Sequence, residues 1–172
     1  QLDNRNNGKK NILYAPTFHK GQPVDVKGLA DAIDFSRYNL IVKLHPIDSA
    51  SSEQVAGEGV IYDRRFDTYD MLKLADIVIS DYSSLVVEAS LTGKPLYLYT
   101  YDEDSYGQTT GLNMNFDEEA IGKYVFRDAA DLAAAMEEDY DTEALNSFCR
   151  KYIDINTDNC TSRMADFIER LL

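Results

Sequence analysis

Polar side chains follow apolar runs of strand length in three places along the chain. The two histidines, His19 and His45, each come shortly after such a run, and a third run, DIVIS (76–80), is followed directly by DYSS (81–84). Imidazole and hydroxyl groups donate hydrogen bonds, and together they can hold phosphate oxygens and stabilise charge on a leaving group. These residue types therefore favour a phosphate-containing ligand.

Other chemistries lack their usual patterns. A serine hydrolase places its nucleophile in a G-x-S-x-G turn, and the residues around Ser83 lack those glycines. The chain also has no glycine-rich phosphate fingerprint, no Walker lysine and no Cys/His cluster with metal-ligand spacing. We therefore expect neither a metal ion nor another cofactor.

Each of these residues also has a purely structural interpretation. Ser83 or Ser84 is a good helix N-cap in any protein. Asp81 can simply accept hydrogen bonds from backbone amides of the turn. His45 can be a structural turn residue, and Lys43 can be a solvated strand end. Both interpretations remain open for each residue from the pattern alone.

The elements that must position these residues alternate between strand and helix. Strands are predicted at 11–15, 39–43, 59–62, 76–80 and 96–99, and helices at 26–36, 69–75, 84–92, 131–139, 143–152 and 160–172. This order predicts an α/β fold with a mainly parallel, Rossmann-like sheet of five or six strands, flanked by helices.

In a parallel sheet the ligand lies at the carboxyl ends of the strands, where the strand order reverses. We therefore expect His45 and Ser83 at one edge of the sheet. The backbone amides of Ser83 and Ser84, at the start of the helix predicted at 84–92, are expected to attract an anion. The stretch 102–123 has no clear period, and we expect a long mobile loop there that serves as a lid or binding segment.

Composition limits the class of protein. The formal net charge is −13, which excludes a nucleic-acid binder because such a protein needs a basic surface. Two cysteines without a signal peptide indicate reduced thiols in a cytosolic protein. The polar opening QLDNRNNGKK (1–10) is expected to be a linker, and 11–172 one domain cut from a longer protein.

Four segments together resemble one known family. YAPTF (14–18), KLHP (43–46), the run 69–102 and the closing 148–168 are similar to the C-terminal half of the CDP-glycerol glycerophosphotransferases, the wall teichoic acid primases and polymerases. The resemblance implies the two-domain GT-B architecture, in which the C-terminal domain binds most of the nucleotide donor. It also implies an acceptor-binding N-terminal domain that this chain lacks.

The resemblance further implies roles for individual residues. His45 matches the KLHP histidine, the expected catalytic contact to the donor phosphates, with Lys43 beside it. Asp81, Ser83 and Ser84 match the block that faces the diphosphate.

Further positions are carried over from the same resemblance. Thr17 matches the threonine of the first block, and Thr161 and Ser162 lie where the family often has D-G-x-A-S near the donor. Glu88 could accept from a ribose hydroxyl, although a surface or helix-pairing role is an equal alternative. Two positions depart from the family pattern: His19 replaces an expected arginine, and Asn159 replaces a glycine. An imidazole in place of a permanent cation weakens phosphate binding near neutral pH.

The reaction implied is attack of an acceptor hydroxyl on the β-phosphorus of CDP-glycerol, with CMP leaving. The acceptor would be a polyol phosphate or glycan polymer, and the general base would come from the missing domain. The full protein would be cytoplasmic and peripheral at the inner face of the cell membrane, and this chain alone would be inactive. Two alternatives remain: a nucleotide-sugar glycosyltransferase of the same architecture, and a non-catalytic binding domain.

Overall fold

Strands and helices alternate along the chain as predicted. The computed structural model describes residues 8–19, 23–45, 55, 57–154 and 159–171. The strands are β1 (Lys10–Tyr14), β2 (Tyr38–Val42), β3 (Val60–Tyr62), β4 (Ile77–Ser80), β5 (Leu96–Tyr99) and β6 (Val125–Phe126). The helices are α1 (Val26–Ala32), α2 (Thr68–Leu74), α3 (Leu85–Ser90), α4 (Glu103–Thr109), α5 (Ala129–Ala135), α6 (Thr142–Tyr152) and α7 (Cys160–Glu169).

All six strands form one parallel sheet, which confirms the predicted α/β class and strand number. The spatial order is β3-β2-β1-β4-β5-β6. Tyr14 at the end of β1 pairs with Val42 of β2 on one side and with Ile79 of β4 on the other. The strands β2, β4 and β5 are buried along their whole length, because helices cover both faces of the sheet. The strand order reverses between β1 and β4, which is where such folds bind ligands.

Aspartate side chains begin four of the helices. Asp25, Asp67, Asp128 and Asp141 each accept a hydrogen bond from a backbone amide in the first turn of the following helix. Helices of seven residues are marginal on their own, so these caps and the packing of one face against the sheet are needed to stabilise them. Part of the acidic excess therefore has a structural role.

Several expected element boundaries were wrong by a few residues, as in the helices expected at 26–36 and 131–139, and two further expectations were wrong about the kind of structure. The stretch 102–123, expected as a loop, contains α4 and two short 3₁₀ turns, Phe116–Glu118 and Gly122–Tyr124. Its helix has a single buried side chain, Tyr106, so it shows no apolar period in the sequence. The expected linker 1–10 also extends too far, because Lys10 is the first residue of β1. Residues 1–7 and Leu172, the last residue of the final predicted helix, lie outside the described residues.

The helix α7 carries an apolar stripe on its surface. Met164, Phe167 and Ile168 are 60, 59 and 51% exposed, and Leu171 continues the same face. None of the residues of α7 is buried. Asn159, just before the helix, has a φ of +65°. The family resemblance predicts a glycine at this position. Glycine adopts the left-handed conformation without strain, and asparagine tolerates it better than most other side chains.

Candidate functional site

A cleft of about 550 Å³ opens at the carboxyl edge of the sheet, beside the reversal of strand order. It is bordered by the residues that follow β1, β2, β3 and β4 and by the start of α2. The polar and aromatic residues that line it are Thr17, Lys43, His45, Tyr62, Asp63, Arg64, Asp67, Thr68, Tyr69 and Ser83. The prediction that His45 and Ser83 share one edge is therefore confirmed, and four strands contribute to one site.

The segment after β1 is tied firmly to the end of β4. The Ala15 amide donates to the Ile79 carbonyl at 2.9 Å, and the Ser80 hydroxyl donates to the Ala15 carbonyl at 2.8 Å. The Thr17 amide donates to both carboxylate oxygens of Asp81, at 2.8 and 2.9 Å. These bonds fix the chain direction at Pro16–Thr17 and present Thr17 to the cleft.

Basic residues reach the cleft from the ends of β2 and β3. His45 is exposed, with its ring centroid 5.8 Å from that of Phe18. The Lys43 ammonium group lies 3.2 Å from Asp63 Oδ2 and also donates to the Phe66 carbonyl. Lys43 is therefore held in a partly buried ion pair at the cleft wall, and is not a solvated strand end. Arg64 lines the same wall, and so do the acidic residues Asp63 and Asp67, so the cleft contains basic and acidic side chains.

The start of α3 offers fewer donors than the sequence suggested. The helix has only six residues. The Leu85 amide donates to the Ser83 hydroxyl oxygen at 3.2 Å, and the Val86 amide donates to the Ser83 carbonyl at 3.1 Å. Ser84 stands at the N-cap position without a side-chain capping bond. Ser83 therefore faces the cleft chiefly through its hydroxyl, whose hydrogen can still be donated to a ligand.

Asp81 and His19, both expected to contact the donor, lie behind the cleft wall. Asp81 is 0% exposed and His19 is 2% exposed. The ring nitrogens of His19 lie 2.9 Å from Asp81 Oδ2 and 2.8 Å from Asp102 Oδ2. Burial raises the pKa of the Asp81 carboxyl, although the bonds from His19 and from the Thr17 amide act in the opposite direction. For Asp81 the geometry supports the structural interpretation, in which it bonds backbone amides.

The remaining predicted site residues lie at the rim or away from the cleft. Glu88 is not a lining residue of the cleft, but it accepts a hydrogen bond at 3.0 Å from the hydroxyl of Tyr69, which is one, and this bond connects α3 to α2. This bond is the first cause of the raised pKa of Tyr69. Thr161 and Ser162 lie on the exposed helix α7 and are not among the described residues that line the cleft.

Sequence reasoning missed Arg64 and Tyr69 as cleft residues. Arg64 follows β3 in the same way that His45 follows β2, so inspection of the third predicted strand end would have found it. Tyr69 is 56% exposed on α2, and its sequence position carried no distinguishing signal. Across the part of the chain that the structure describes, no group of three His, Cys, Asp or Glu side chains has an arrangement that could hold a metal ion.

Comparison with known proteins points to one family. Residues 2–170 match the family described as CDP-Glycerol:Poly(glycerophosphate) glycerophosphotransferase. The teichoic acid glycerol-phosphate primase of Bacillus spizizenii is 40% identical over 117 residues, which are 64% of this chain and 30% of that protein. The primase of the same description from Staphylococcus aureus is 30% identical over 168 residues, 95% of this chain and 42% of that protein. The chain thus spans less than half the length of these curated relatives.

Solved structures share the fold. The wall teichoic acid polymerase TagF superposes with a TM-score of 0.70 at 21% identity, over 98% of this chain and 46% of that chain. A variant of the same polymerase soaked with CDPG gives a TM-score of 0.70 at 22% identity, over 98% of this chain and 45% of that chain. The glycotransferase of kitacinnamycin gives 0.56 at 15% identity, over 96% of this chain and 44% of that chain.

Proposed function

The chain belongs to the CDP-glycerol:poly(glycerophosphate) glycerophosphotransferase family, and from this premise we propose that it is the donor-nucleotide-binding domain of a transferase acting on CDP-glycerol. The transferase would pass glycerol phosphate to a teichoic acid or a related polymer. The observation that carries the proposal is the cleft itself. It lies where strand order reverses, and it gathers His45, Arg64 and Ser83 from three separate strand ends.

The cleft has the donors that a diphosphate needs. Imidazole, guanidinium and hydroxyl groups donate charge-assisted or neutral hydrogen bonds to phosphate oxygens, and Arg64 can do so with two parallel N–H groups. The Thr17 hydroxyl lies on the adjoining wall. Tyr69 lines the cleft and donates to Glu88 at 3.0 Å, and we assign Glu88 the role of accepting a hydrogen bond from a ribose hydroxyl.

The proposed reaction is displacement at the β-phosphorus. An acceptor hydroxyl forms the new O–P bond, the bond to the bridging oxygen breaks, and CMP leaves with the electron pair. His45 stabilises the charge that develops on the departing phosphate by donating a hydrogen bond, which is the most effective contribution a fixed donor can make. We assign the general base, which removes the proton of the acceptor hydroxyl, to a part of the enzyme outside this chain.

We propose that an acceptor-binding domain completes the enzyme and packs against α7. The chain matches only 42% of the Staphylococcus aureus primase while 95% of its own residues align. The apolar stripe of Met164, Phe167 and Ile168 has no covering partner among the residues that the structure describes. A face of this kind, left exposed on one domain, fits an interface with another domain.

The proposed location is the cytoplasm, with the full protein at the inner face of the cell membrane. The cysteines support it, since Cys149 and Cys160 are both unpaired, as expected for a reducing compartment. Among the described helices, none has the length and apolar character needed to cross a bilayer.

Isothermal titration calorimetry tests the donor assignment. CDP-glycerol, CMP and UDP-glucose are titrated into the 172-residue chain, and CMP release is followed with a poly(glycerol phosphate) acceptor. We expect binding of CDP-glycerol, weaker binding of CMP, no measurable binding of UDP-glucose, and no turnover. Preference for UDP-glucose would support a nucleotide-sugar glycosyltransferase instead, and failure to bind any of the three would support a non-catalytic domain. Turnover by the chain alone would overturn the two-domain proposal.

A further inference from the structure

His19 joins three segments that follow three different strands. It belongs to the segment after β1, its Nε2 lies 2.9 Å from Oδ2 of Asp81 after β4, and its Nδ1 lies 2.8 Å from Oδ2 of Asp102 after β5. The imidazole is buried, so water does not compete for these contacts. The Asp102 carboxylate contacts the same three segments, because it also accepts a hydrogen bond from the Tyr82 hydroxyl after β4.

The geometry defines the protonation state of the ring. A carboxylate only accepts hydrogen bonds, whereas a neutral imidazole has one N–H and one acceptor nitrogen. With both ring nitrogens facing carboxylate oxygens, a neutral ring would leave one nitrogen lone pair against an oxygen. The imidazolium has two N–H donors and satisfies both contacts. Burial lowers the pKa of His19, but the hydrogen bonds to Asp102 and Asp81 outweigh it and raise the pKa to about 9.

Aromatic side chains enclose the ring. Tyr101 stacks on it at 5.8 Å with an interplanar angle of 5°, and Tyr106 and Tyr82 lie at 5.3 and 6.3 Å. The rings of Tyr82 and Tyr106 stack at 4.3 Å, and the Tyr82 hydroxyl donates to Asp102 Oδ1 at 3.1 Å. Electron-rich ring faces stabilise a cation between them. The groups that face His19 are thus two carboxylates and three tyrosines.

We propose that His19 is a positioning residue that, as an imidazolium, clamps Asp81 and Asp102 together and so fixes one wall of the donor cleft. Asp81 holds the Thr17 amide at 2.8 and 2.9 Å, and Thr17 lines the cleft. Asp102 precedes α4 and its carbonyl accepts from the Tyr106 amide at 2.9 Å. Loss of the proton leaves two carboxylates facing a neutral ring, and their repulsion displaces Thr17 and the start of α4.

The clamp is tested first without any ligand, by ¹⁵N NMR of the 172-residue chain labelled at histidine. Both ring nitrogens of His19 are expected to carry protons from pH 6 to 8 and to lose one near pH 9. The His45→Ala variant retains a single histidine and assigns the signals. A His19 ring with one proton at pH 7 would overturn the proposal, whatever the chain binds.

The effect on the cleft is tested next, and this step rests on the proposed function. His19→Gln removes the cation, and His19→Arg supplies a permanent one. Affinity for CDP-glycerol at pH 7 is expected to fall about tenfold in the glutamine variant, because the wall that carries Thr17 is no longer held in place; tenfold corresponds to about 1.4 kcal/mol. The arginine variant is expected to stay within about threefold of wild type, with an affinity that no longer declines between pH 8 and 10.

The two proposals fail in different ways. A wild-type chain that does not bind CDP-glycerol overturns the proposed function, and the ring-nitrogen protonation still decides the clamp. Equal affinity and equal pH dependence in the wild type and the glutamine variant overturn the role of His19 in the cleft. If the glutamine variant does not fold, the arginine variant decides. An affinity of the arginine variant for CDP-glycerol that declines between pH 8 and 10 contradicts the proposed role of His19.

Discussion

His45 and Ser83 line the same cleft although they follow strands that do not pair with each other. His45 comes after β2 and Ser83 after β4, and β1 lies between the two strands in the sheet. The parallel direction of all three strands brings their carboxyl ends to one edge. The site is therefore a product of sheet order, and any change in that order would separate the two side chains.

Replacing His45 with alanine is expected to weaken CDP-glycerol binding about ten- to a hundredfold. The reason is the loss of a charge-assisted hydrogen bond, worth roughly 1.5–3 kcal/mol. His45 is exposed, so the melting temperature is expected to stay unchanged. Calorimetry measures the affinity, and Lys151→Ala, an exposed cation on α6, serves as the control. Equal affinity in the wild type and the His45 variant would remove His45 from the site.

Replacing Arg64 with alanine is expected to reduce the same affinity about tenfold and to reduce its dependence on salt. The guanidinium lines the cleft, and a lost phosphate contact from a partly solvated cation costs about 1.5 kcal/mol. Titrations at low and high salt measure both effects, with Arg150→Ala on the exposed face of α6 as a matched control. An unchanged salt dependence would show that Arg64 does not contact the anion.

The stability of the chain is expected to fall as the pH rises from 6.5 to 9. The pKa of His19 is raised from 6.5 to about 9 in the folded chain, so its contribution is complete below 6.5 and is lost as the pH passes 9. The loss is about 2 kcal/mol, the value of a hydrogen bond to a charged group. Urea unfolding of wild type and His19→Gln at pH 6 and 9.5 measures it. If the difference in free energy of unfolding between wild type and His19→Gln is the same at both pH values, the raised pKa of His19 is contradicted.

Replacing glycine with alanine is expected to have opposite effects on the stability of the chain at two positions, Gly122 and Gly107. A Cβ at Gly122 would lie 2.3 Å from the Asp117 carbonyl oxygen, so the backbone must shift, at a cost of about 1–3 kcal/mol. A Cβ at Gly107, inside α4, meets only Leu112 carbons at 3.8 Å. Gly107→Ala is therefore expected to stabilise the chain by about 0.5–1 kcal/mol, because alanine favours the helix. Urea unfolding of both variants checks the pair, and destabilisation by Gly107→Ala would contradict the presence of α4.

Two phenylalanines are expected to differ sharply in their contribution to stability. Phe148 on α6 is 0% exposed and packs against Phe116, so Phe148→Ala is expected to cost about 3–5 kcal/mol. Phe167 on α7 is exposed, so Phe167→Ala is expected to change the free energy of unfolding by less than about 0.5 kcal/mol. A large loss in the second variant would mean that the stripe on α7 is already buried in this chain.

The sequence by itself determined the class of fold and the edge that holds the site. Alternating apolar runs predicted the strands, and the positions of His45 and Ser83 after two of them predicted their common edge. These predictions succeed because burial on both faces of a parallel sheet imposes continuous apolar runs, which are visible locally. The family resemblance rests on the same local blocks and is confirmed by the match over residues 2–170.

Only the tertiary structure decided which polar side chains face the cleft and which face inward. Asp81 and Ser83 stand two residues apart in one block, yet Asp81 is buried against His19 while Ser83 lines the cleft. The helix α4 likewise depends on the stacking of Tyr106 on Tyr82, a contact between distant segments. Spacing along the chain does not specify such orientations, because they are set by hydrogen bonds and ring contacts from other strands.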